Sequence, residues 1–337
     1  MSGNSTPEFD VFAIGHAIVD EEYCVEDHFL TRLGIQRAER TLIDFDRRQQ
    51  LLVALNAEGD RVYQAGGGSA ANSIVTAQQL GARCHFACKV ANDEAGRFFH
   101  ADLAQSGIDL PNAALAKGHT GRCLVMITPD AERTMNTYTG ITDELDMPYV
   151  ELDKLRRSRW LYLESYLITT DTAHQTTLAA LQAAHDANIP VVVNFADPGI
   201  VRFFKPQLTT LFASRPVEVL ICNHEEALAW ADTTELETAI TVLGKLARHL
   251  IITEGADGAH VITAEGRVTV PAPKVTPVNT TGAGDTFAGG ILYGLAKGWD
   301  LPRAAELACR CAARKVEMNG ARLPAEEVAL LHPPGHA

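Results

Sequence analysis

Short apolar runs alternate with helical-period segments along most of this chain, and that rhythm sets the expected fold. Val11-Phe12-Ala13-Ile14-Gly15 is apolar at successive positions, which predicts a first strand buried on both faces. From Trp160 onward the rhythm is regular. Strands are predicted at Trp160 to Leu163, Val191 to Phe195, Val219 to Cys222 and Leu250 to Thr253. Helices are predicted between them, around 172–187, 200–212 and 224–247, the last broken near Thr233. Such alternation implies a mostly parallel central sheet covered on both faces, a three-layer α/β/α domain. Ligands of such sheets sit at the carboxyl ends of the strands.

Upstream, Gly66-Gly67-Gly68 is followed by Ser69, the predicted cap of a helix that runs through Leu80 and stops at Gly81. A strand (Cys84 to Val90) and a helix (Asp93 to Ser106) come next. Downstream, Ala259 to Val270 is β-rich, and helices over 283–297 and 302–319 close the pattern. Two stretches depart from it. Residues 20–65 are rich in charge, with one amphipathic piece around Arg47 to Asn56. Residues 112–140 read as hairpin material, with a strand at Leu124 to Thr128 and a turn begun by Pro129-Asp130. Both are expected to form a small β-rich lid on a large domain made of residues 8–19, 66–111 and 141–330.

Composition narrows the function classes. The chain has 337 residues, 46% hydrophobic and 21% charged, enough for a sizeable core. Its formal net charge of −13 argues against non-specific binding to nucleic acid or an anionic membrane. Seven cysteines, an odd number, occur without a C-x-x-C pair, which predicts reduced thiols and not a zinc site. Met1 to Asp10 is polar, with no apolar signal core, and no run of about 18 apolar residues follows. A cytoplasmic location is expected.

The candidate chemistry concentrates in Asn279-Thr280-Thr281-Gly282-Ala283-Gly284-Asp285-Thr286-Phe287. Phe287, Ile291, Leu292 and Leu295 then recur at helical spacing, so the turn opens a helix. The first amides of a helix lack internal partners and carry partial positive charge, which suits a phosphate. A carboxylate repels phosphate, so Asp285 is better placed as a base that takes a proton from an attacking hydroxyl. Elsewhere, Asp20 follows the first strand and can accept from two adjacent hydroxyls. Bare backbone at Gly67-Gly68 admits a polar ligand closely, and Asn72 offers a two-way amide one turn on. Gly66-x-Gly68-x-x-Ala71 matches a relaxed dinucleotide fingerprint, but no clean strand leads into it. Asn223 and Glu226 open a helix after a strand and can order water around magnesium, or simply cap that helix. Arg133 lies between two β-like pieces, where a mobile arginine can reach a transferring phosphate or merely meet solvent. His16 and His224 read as satisfied polar residues. No Walker-type phosphate loop is present.

Thr280 to Phe287, Gly67-Gly68-x-x-x-Asn72 with Leu80-Gly81 and Asp93-x-x-Gly96, Asn223-x-x-Glu226, and Thr253-x-Gly255-x-x-Gly258 together resemble the ribokinase-type (PfkB) carbohydrate kinase family, over roughly residues 10 to 325. Gly15-x-x-x-x-Asp20, Ala65 to Ser73 and Val193 to Pro198 are similar to its adenosine kinase branch. Gly121-Arg122-Cys123, Glu132-Arg133-Thr134 and Ser165-Tyr166-Leu167 are similar to bacterial inosine-guanosine kinases. The resemblance implies a ribokinase-like fold and an ATP- and Mg²⁺-dependent kinase acting on the 5′-hydroxyl of a ribonucleoside, adenosine first. It implies Asp285 as base, an anion hole at Gly282, Ala283 and Gly284, and Arg133 closing from the lid. Asp20, Gly67, Gly68 and Asn72 would grip ribose, with Tyr166 against the base. Thr253, Gly255, Gly258, Thr281 and Asn223 would lie on the nucleotide side, with magnesium held through water by Asn223 and Glu226.

Two departures stand out. Asn279 replaces the family's usual aspartate near its monovalent-cation region, which puts K⁺ dependence in doubt, and Ala91 replaces a frequent glycine. A free-sugar kinase, an inosine or guanosine kinase, and a nucleoside-binding protein without catalysis are the alternatives. The 20–65 segment leaves a monomer's lid and a dimer's interlocking sheet both open.

Overall fold

The computed structural model describes residues 7–130 and 132–331. Residues 1–6 of the polar N-terminal stretch and Ala131, beside Arg133, lie outside the described residues. The chain begins with β1 (Phe9–Ile14), β2 (Ile18–Cys24), α1 (Asp27–Arg32), β3 (Arg40–Leu42), α2 (Phe45–Glu58) and β4 (Asp60–Gly67). It continues through α3 (Ser69–Gln79), β5 (Cys84–Ala87), α4 (Glu94–Gln105), β6 (Thr120–Ile127) and β7 (Arg133–Gly140). Next come α5 (Leu152–Arg156), β8 (Ser158–Glu164), α6 (Asp171–Asp186), β9 (Val191–Asn194), α7 (Pro198–Phe203) and α8 (Lys205–Thr209). It closes with β10 (Val217–Asn223), α9 (His224–Ala231), α10 (Leu236–Leu243), β11 (Ala247–Thr253), β12 (Ala259–Thr263), β13 (Gly266–Val270), α11 (Ala283–Ala296), α12 (Leu301–Val316) and α13 (Ala325–Leu331).

Eight strands form one sheet in the order β13-β12-β11-β10-β9-β8-β1-β5. Its pairs from β5 to β11 are parallel, and β12–β13 adds an antiparallel hairpin at one edge. The uninterrupted apolar runs follow from burial on both faces. Val11, Ala13, Tyr162, Val192 and Ile221 pack beneath α3, α4, α11 and α12. Their neighbours Phe12, Ile14, Leu163, Val193 and Leu220 pack on the opposite side with residues of α6, α9 and α10. This is the expected three-layer α/β class with a mostly parallel sheet.

The second sheet has the order β3-β7-β6-β2-β4. One of its faces is closed by α1 and α2: Tyr23, Leu124 and Met126 pack on Phe29, Leu30, Leu51 and Leu55. The opposite face carries Asp20 and Glu22 of β2, Cys123 and Val125 of β6, and Met135 and Thr137 of β7, at alternating positions. The charge of residues 20–65 therefore belongs partly to paired strands and not to a solvated insertion.

Several local expectations change. Ser69 is the first residue of α3 and not its cap; the cap position is Gly68, with no side-chain hydrogen bond. The predicted 200–212 helix divides at Phe204, because Pro206 has no amide to continue the ladder. The 224–247 segment breaks at Asp232, which is left-handed (φ 50°), and its last residue, Ala247, already begins β11. No helix among the described residues is long and apolar enough to cross a membrane.

Candidate active site

A cavity of about 180 Å³ lies between the two sheets, and Asp285 lines it. α11 begins at Gly282, whose φ of 78° is left-handed and whose missing Cβ leaves room for the Ala321 carbonyl, 2.0 Å from where it would stand. No side chain caps this helix; the Ala283 amide donates to the Thr280 carbonyl at 3.1 Å, and the amides of Gly282 and Gly284 on either side of it are the ones open to a ligand. Asp285 follows in the first turn. Its Oδ1 accepts from Ser69 Oγ at 2.6 Å and its Oδ2 from Asn72 Nδ2 at 2.9 Å. Burial raises the Asp285 pKa, while those two hydrogen bonds and the Arg40 and Arg322 charges oppose the rise.

The amide of Asn72 is oriented from behind. Arg322 Nε donates to Asn72 Oδ1 at 2.9 Å, which turns Nδ2 toward Asp285. Arg322 Nη1 donates to Asp102 Oδ2 at 2.8 Å, and that oxygen also accepts from the Gly66 amide. A fixed chain thus runs from Asp102 through Arg322 and Asn72 to Asp285. Neither Arg322 nor Ser69 was singled out in sequence for such a part. Ser69 was legible beside Asn72, but Arg322 lies in a loop after α12 with no motif to mark it.

Asp20 lines the same cavity from β2. Its carboxyl is pushed up to about 7 by burial, with the Arg322 charge opposing. The space a side chain at Gly67 would need is filled by this carboxylate, 2.1 Å from where a Cβ would stand. Gly68, with φ 102°, packs on the His16 carbonyl. The bare backbone of the glycine run thus makes room for protein groups, and Gly68 also lines the cavity. Glu164, at the end of β8, also lines the cavity and was missed in sequence. Its Oε1 accepts from the His16 amide at 2.5 Å and its Oε2 from the Ala70 amide at 2.6 Å. It ties the β1–β2 connection to the start of α3, and burial pushes its carboxyl up to about 8.

The two arginines of the five-stranded sheet that bear on the site differ in position. Arg133 does not line the cavity; its charge acts on Glu22 and Lys315. Arg40 of β3 does line it, and its Nη1 donates to Tyr166 Oη and Asp197 Oδ2, both at 2.9 Å. Tyr166 Oη in turn donates to Asp197 Oδ2 at 3.0 Å. Arg40 thus joins the five-stranded sheet to the eight-stranded one. Arg40 had no signal in sequence beyond the charge-rich stretch that contains it. Tyr166 does line the cavity, as does Thr281 beside Asp285.

The residues expected on the nucleotide side lie elsewhere. Asn223 and Glu226 form a capping box on α9: Asn223 Oδ1 accepts from the Glu226 amide, and Glu226 Oε2 from the Asn223 amide, each at 2.8 Å. Glu226 is almost fully buried, and its carboxyl is pushed up to about 7 by burial, with Asp197, Glu225 and Asp285 adding repulsion. Asn223 pairs with Thr253 at the carboxyl ends of β10 and β11. Gly255 and Gly258 follow in the next turn, with φ of 56° and 102°. None of Asn223, Glu226, Thr253, Gly255 or Gly258 lines the cavity that holds Asp285. His224 Nδ1 lies 2.8 Å from Glu254 Oε1, a satisfied polar residue.

A larger hollow, about 510 Å³, opens at the other end of the strands beside Trp160 and Trp299, and contains none of these residues. Among the described residues, His85, Asp109 and Glu151 cluster with metal-binding potential, but Lys154 Nζ already meets both carboxylates at 2.6 and 2.8 Å. All seven cysteines are free thiols.

Residues 38–328 match the family described as pfkB family carbohydrate kinase. The aminoimidazole riboside kinase of Salmonella typhimurium is 30% identical over 264 residues, 76% of this chain and 83% of that protein. The adenosine kinase structure from Sinorhizobium meliloti superposes with a TM-score of 0.86 at 31% identity, covering 96% of this chain and 99% of its own. A probable sugar kinase from Rhizobium etli CFN 42 superposes at 0.87 with 30% identity, covering 96% and 98%.

Proposed function

This chain belongs to the pfkB family of carbohydrate kinases, phosphotransferases that act on a hydroxyl group, and we propose that it phosphorylates the 5′-hydroxyl of a ribonucleoside, adenosine first, with ATP as donor. One observation carries the acceptor class: the cavity is lined by polar and apolar side chains together. Asp20, Asn72 and Asp285 are among the first, and Leu42, Val125 and Met135 among the second. A ribose joined to a flat base needs both, whereas a free sugar needs polar partners all round. The resemblance to aminoimidazole riboside and adenosine kinases supports the same reading.

In this reading Asp20 and Asn72 hold the ribose hydroxyls. Asp285, fixed by Ser69 and Asn72, takes the proton of the attacking 5′-hydroxyl. The amides at Gly282 and Gly284, joined by that of Ala283 once it releases the Thr280 carbonyl, receive the charge of the transferring phosphoryl group. Phosphoryl transfer depends on positioning and charge compensation, which this set supplies. The five-stranded sheet acts as a lid that excludes water, so ATP is not spent on hydrolysis. Its latch is Arg40 on Asp197 and Tyr166; with Arg40 half exposed, such a pair is worth roughly 0–1 kcal/mol, so it can open readily. Tyr166 is then a positioning group for Arg40 as well as a wall for the base. Thr253, Gly255, Gly258, Asn223 and Thr281 form the nucleotide side.

Magnesium would be held beside this cavity, near Asn223 and Glu226. Glu226 and Asp197 are mutually repelling carboxylates, and a capping box that engages both Asn223 and Glu226 leaves contact through water as the mode open to them. The ion, when bound, supplies neutralisation of phosphate charge.

ADP release measured across adenosine, inosine, guanosine, aminoimidazole riboside, ribose and fructose tests the proposal. Turnover should be highest with a nucleoside. Turnover with ribose or fructose and with no nucleoside would overturn it.

A further inference from the structure

Lys315 stands in the last turn of α12 with its side chain fully buried. Taking an ammonium out of water costs several kcal/mol unless its charge is met, so a buried lysine needs a reason. Lys315 Nζ donates to the Asn279 carbonyl at 2.9 Å. Asn279 is the head of the anion-binding loop. Its Oδ1 accepts from the Thr281 amide at 2.9 Å, and its Nδ2 donates to the Gly320 carbonyl at 3.3 Å. The amides of Val278 and Asn279 both donate to the Val316 carbonyl, at the negative end of α12. The ammonium therefore meets the Asn279 carbonyl of a loop that is itself tied to the carboxyl end of α12, and Glu22 and Asp285 add attraction while Arg133 opposes.

This is a setting for a monovalent cation, which is coordinated by carbonyl oxygens in place of its water. The residues do not fit a potassium ion here. The Asn279 carbonyl is engaged by Lys315, and the Asn279 side chain is a neutral amide already used on both its atoms.

We propose that the Lys315 ammonium is a built-in monovalent cation, which fixes the 279–284 loop so that the chain requires no K⁺. Lys315 is a positioning residue: it acts through Asn279 and Thr281 on the amides that open α11. Burial pushes its pKa down to about 8, with Glu22 and Asp285 opposing, so it keeps its charge at neutral pH. The consequence for turnover rests on the kinase reading above; the occupation of the cation position does not.

The test compares the unaltered chain with Lys315→Met and Lys315→Arg in choline chloride, with K⁺ or NH₄⁺ exchanged in at constant ionic strength. Melting temperature is read first, since it needs no substrate, and turnover second. The unaltered chain should show neither a melting shift nor a turnover gain with K⁺. Lys315→Met should melt lower and lose at least tenfold in kcat with little change in acceptor KM. K⁺ or NH₄⁺ should restore both saturably, and Li⁺ should not. Lys315→Arg, which keeps a cation, should stay insensitive to K⁺. An unaltered chain that K⁺ stabilises or activates overturns the proposal, whatever the variants do. So does a folded Lys315→Met protein that no monovalent ion stabilises. If no acceptor is turned over at all, the kinase reading fails while the melting arm still decides the cation.

Discussion

The eight-stranded sheet buries both faces in apolar layers, whereas the five-stranded sheet buries one face and turns Asp20, Glu22 and Arg40 into the cavity. On the side of the first sheet the chemistry comes from its helical layer, where α11 and α3 begin. There, short-range backbone geometry and one carboxylate do the task. The second contributes side chains on alternate positions, and each becomes useful only when the two sheets face each other. Damage on the first side should therefore appear in the chemical step, and damage on the second in acceptor binding.

Asp285→Asn breaks the comparison hardest. It removes the proposed base and leaves shape intact, so turnover should fall by at least about 10²–10⁴-fold with nucleotide binding retained. A coupled ADP-release assay and a nucleotide titration read the two quantities, and near-normal turnover would remove Asp285 from the role of base.

Asp20→Asn is the counterpart on the second sheet. It should raise the acceptor KM by about 10- to 150-fold, as loss of a charged hydrogen bond worth ~1.5–3 kcal/mol does, with a smaller change in kcat. A kcat loss with unchanged KM would place Asp20 outside the acceptor grip.

Arg322→Lys tests the link between the sides. A lysine cannot hold Asn72 and Asp102 in one planar fork, so kcat/KM should fall about tenfold, within the range of a lost charged hydrogen bond. An unchanged kcat/KM would show that Asn72 needs no support from behind.

pH separates the groups further. Asp20 must be ionised to accept from two hydroxyls, and its carboxyl is pushed up to about 7, so kcat/KM should climb as pH rises through about 7. Stability should move the other way. Asp20, Glu226 and Glu164 have folded values of about 7, 7 and 8, above their ordinary values, so the folded chain holds more protons than the unfolded one in between. Their contribution is fully present below the ordinary carboxylate range and is lost as pH climbs through about 8. Melting of the ligand-free chain should be highest on the acid side of that window, and a flat profile would show that these carboxyls are not perturbed.

The smallest effect belongs to the latch. Arg40→Ala removes one partly exposed pair worth roughly 0–1 kcal/mol and should change the acceptor KM by at most about fivefold. Arg133→Ala, measured beside it, should affect KM less, since Arg133 does not line the cavity. A large kcat loss in Arg133→Ala alone would return the closing role to Arg133.

The sequence by itself determined what depends on neighbours along the chain. Apolar runs specify buried strands, and a glycine turn before a helical pattern specifies an open helix end, so the layered fold and the Asp285 loop were legible. Asn223 and Glu226 were equally legible as a cap, which is a relation across three residues. Ser69 shows the limit: its position beside the helix was readable, but its bond to Asp285 joins residues 216 positions apart. Arg40, Glu164, Arg322 and Lys315 carry no local signature, because a charged residue in a loop, strand or helix end looks the same whether it meets water or a buried partner. Only the tertiary structure decided that Glu164 faces two amides and that Lys315 meets a carbonyl. Electrostatic meaning arises from distance in space and from burial, and neither is written in the order of the residues.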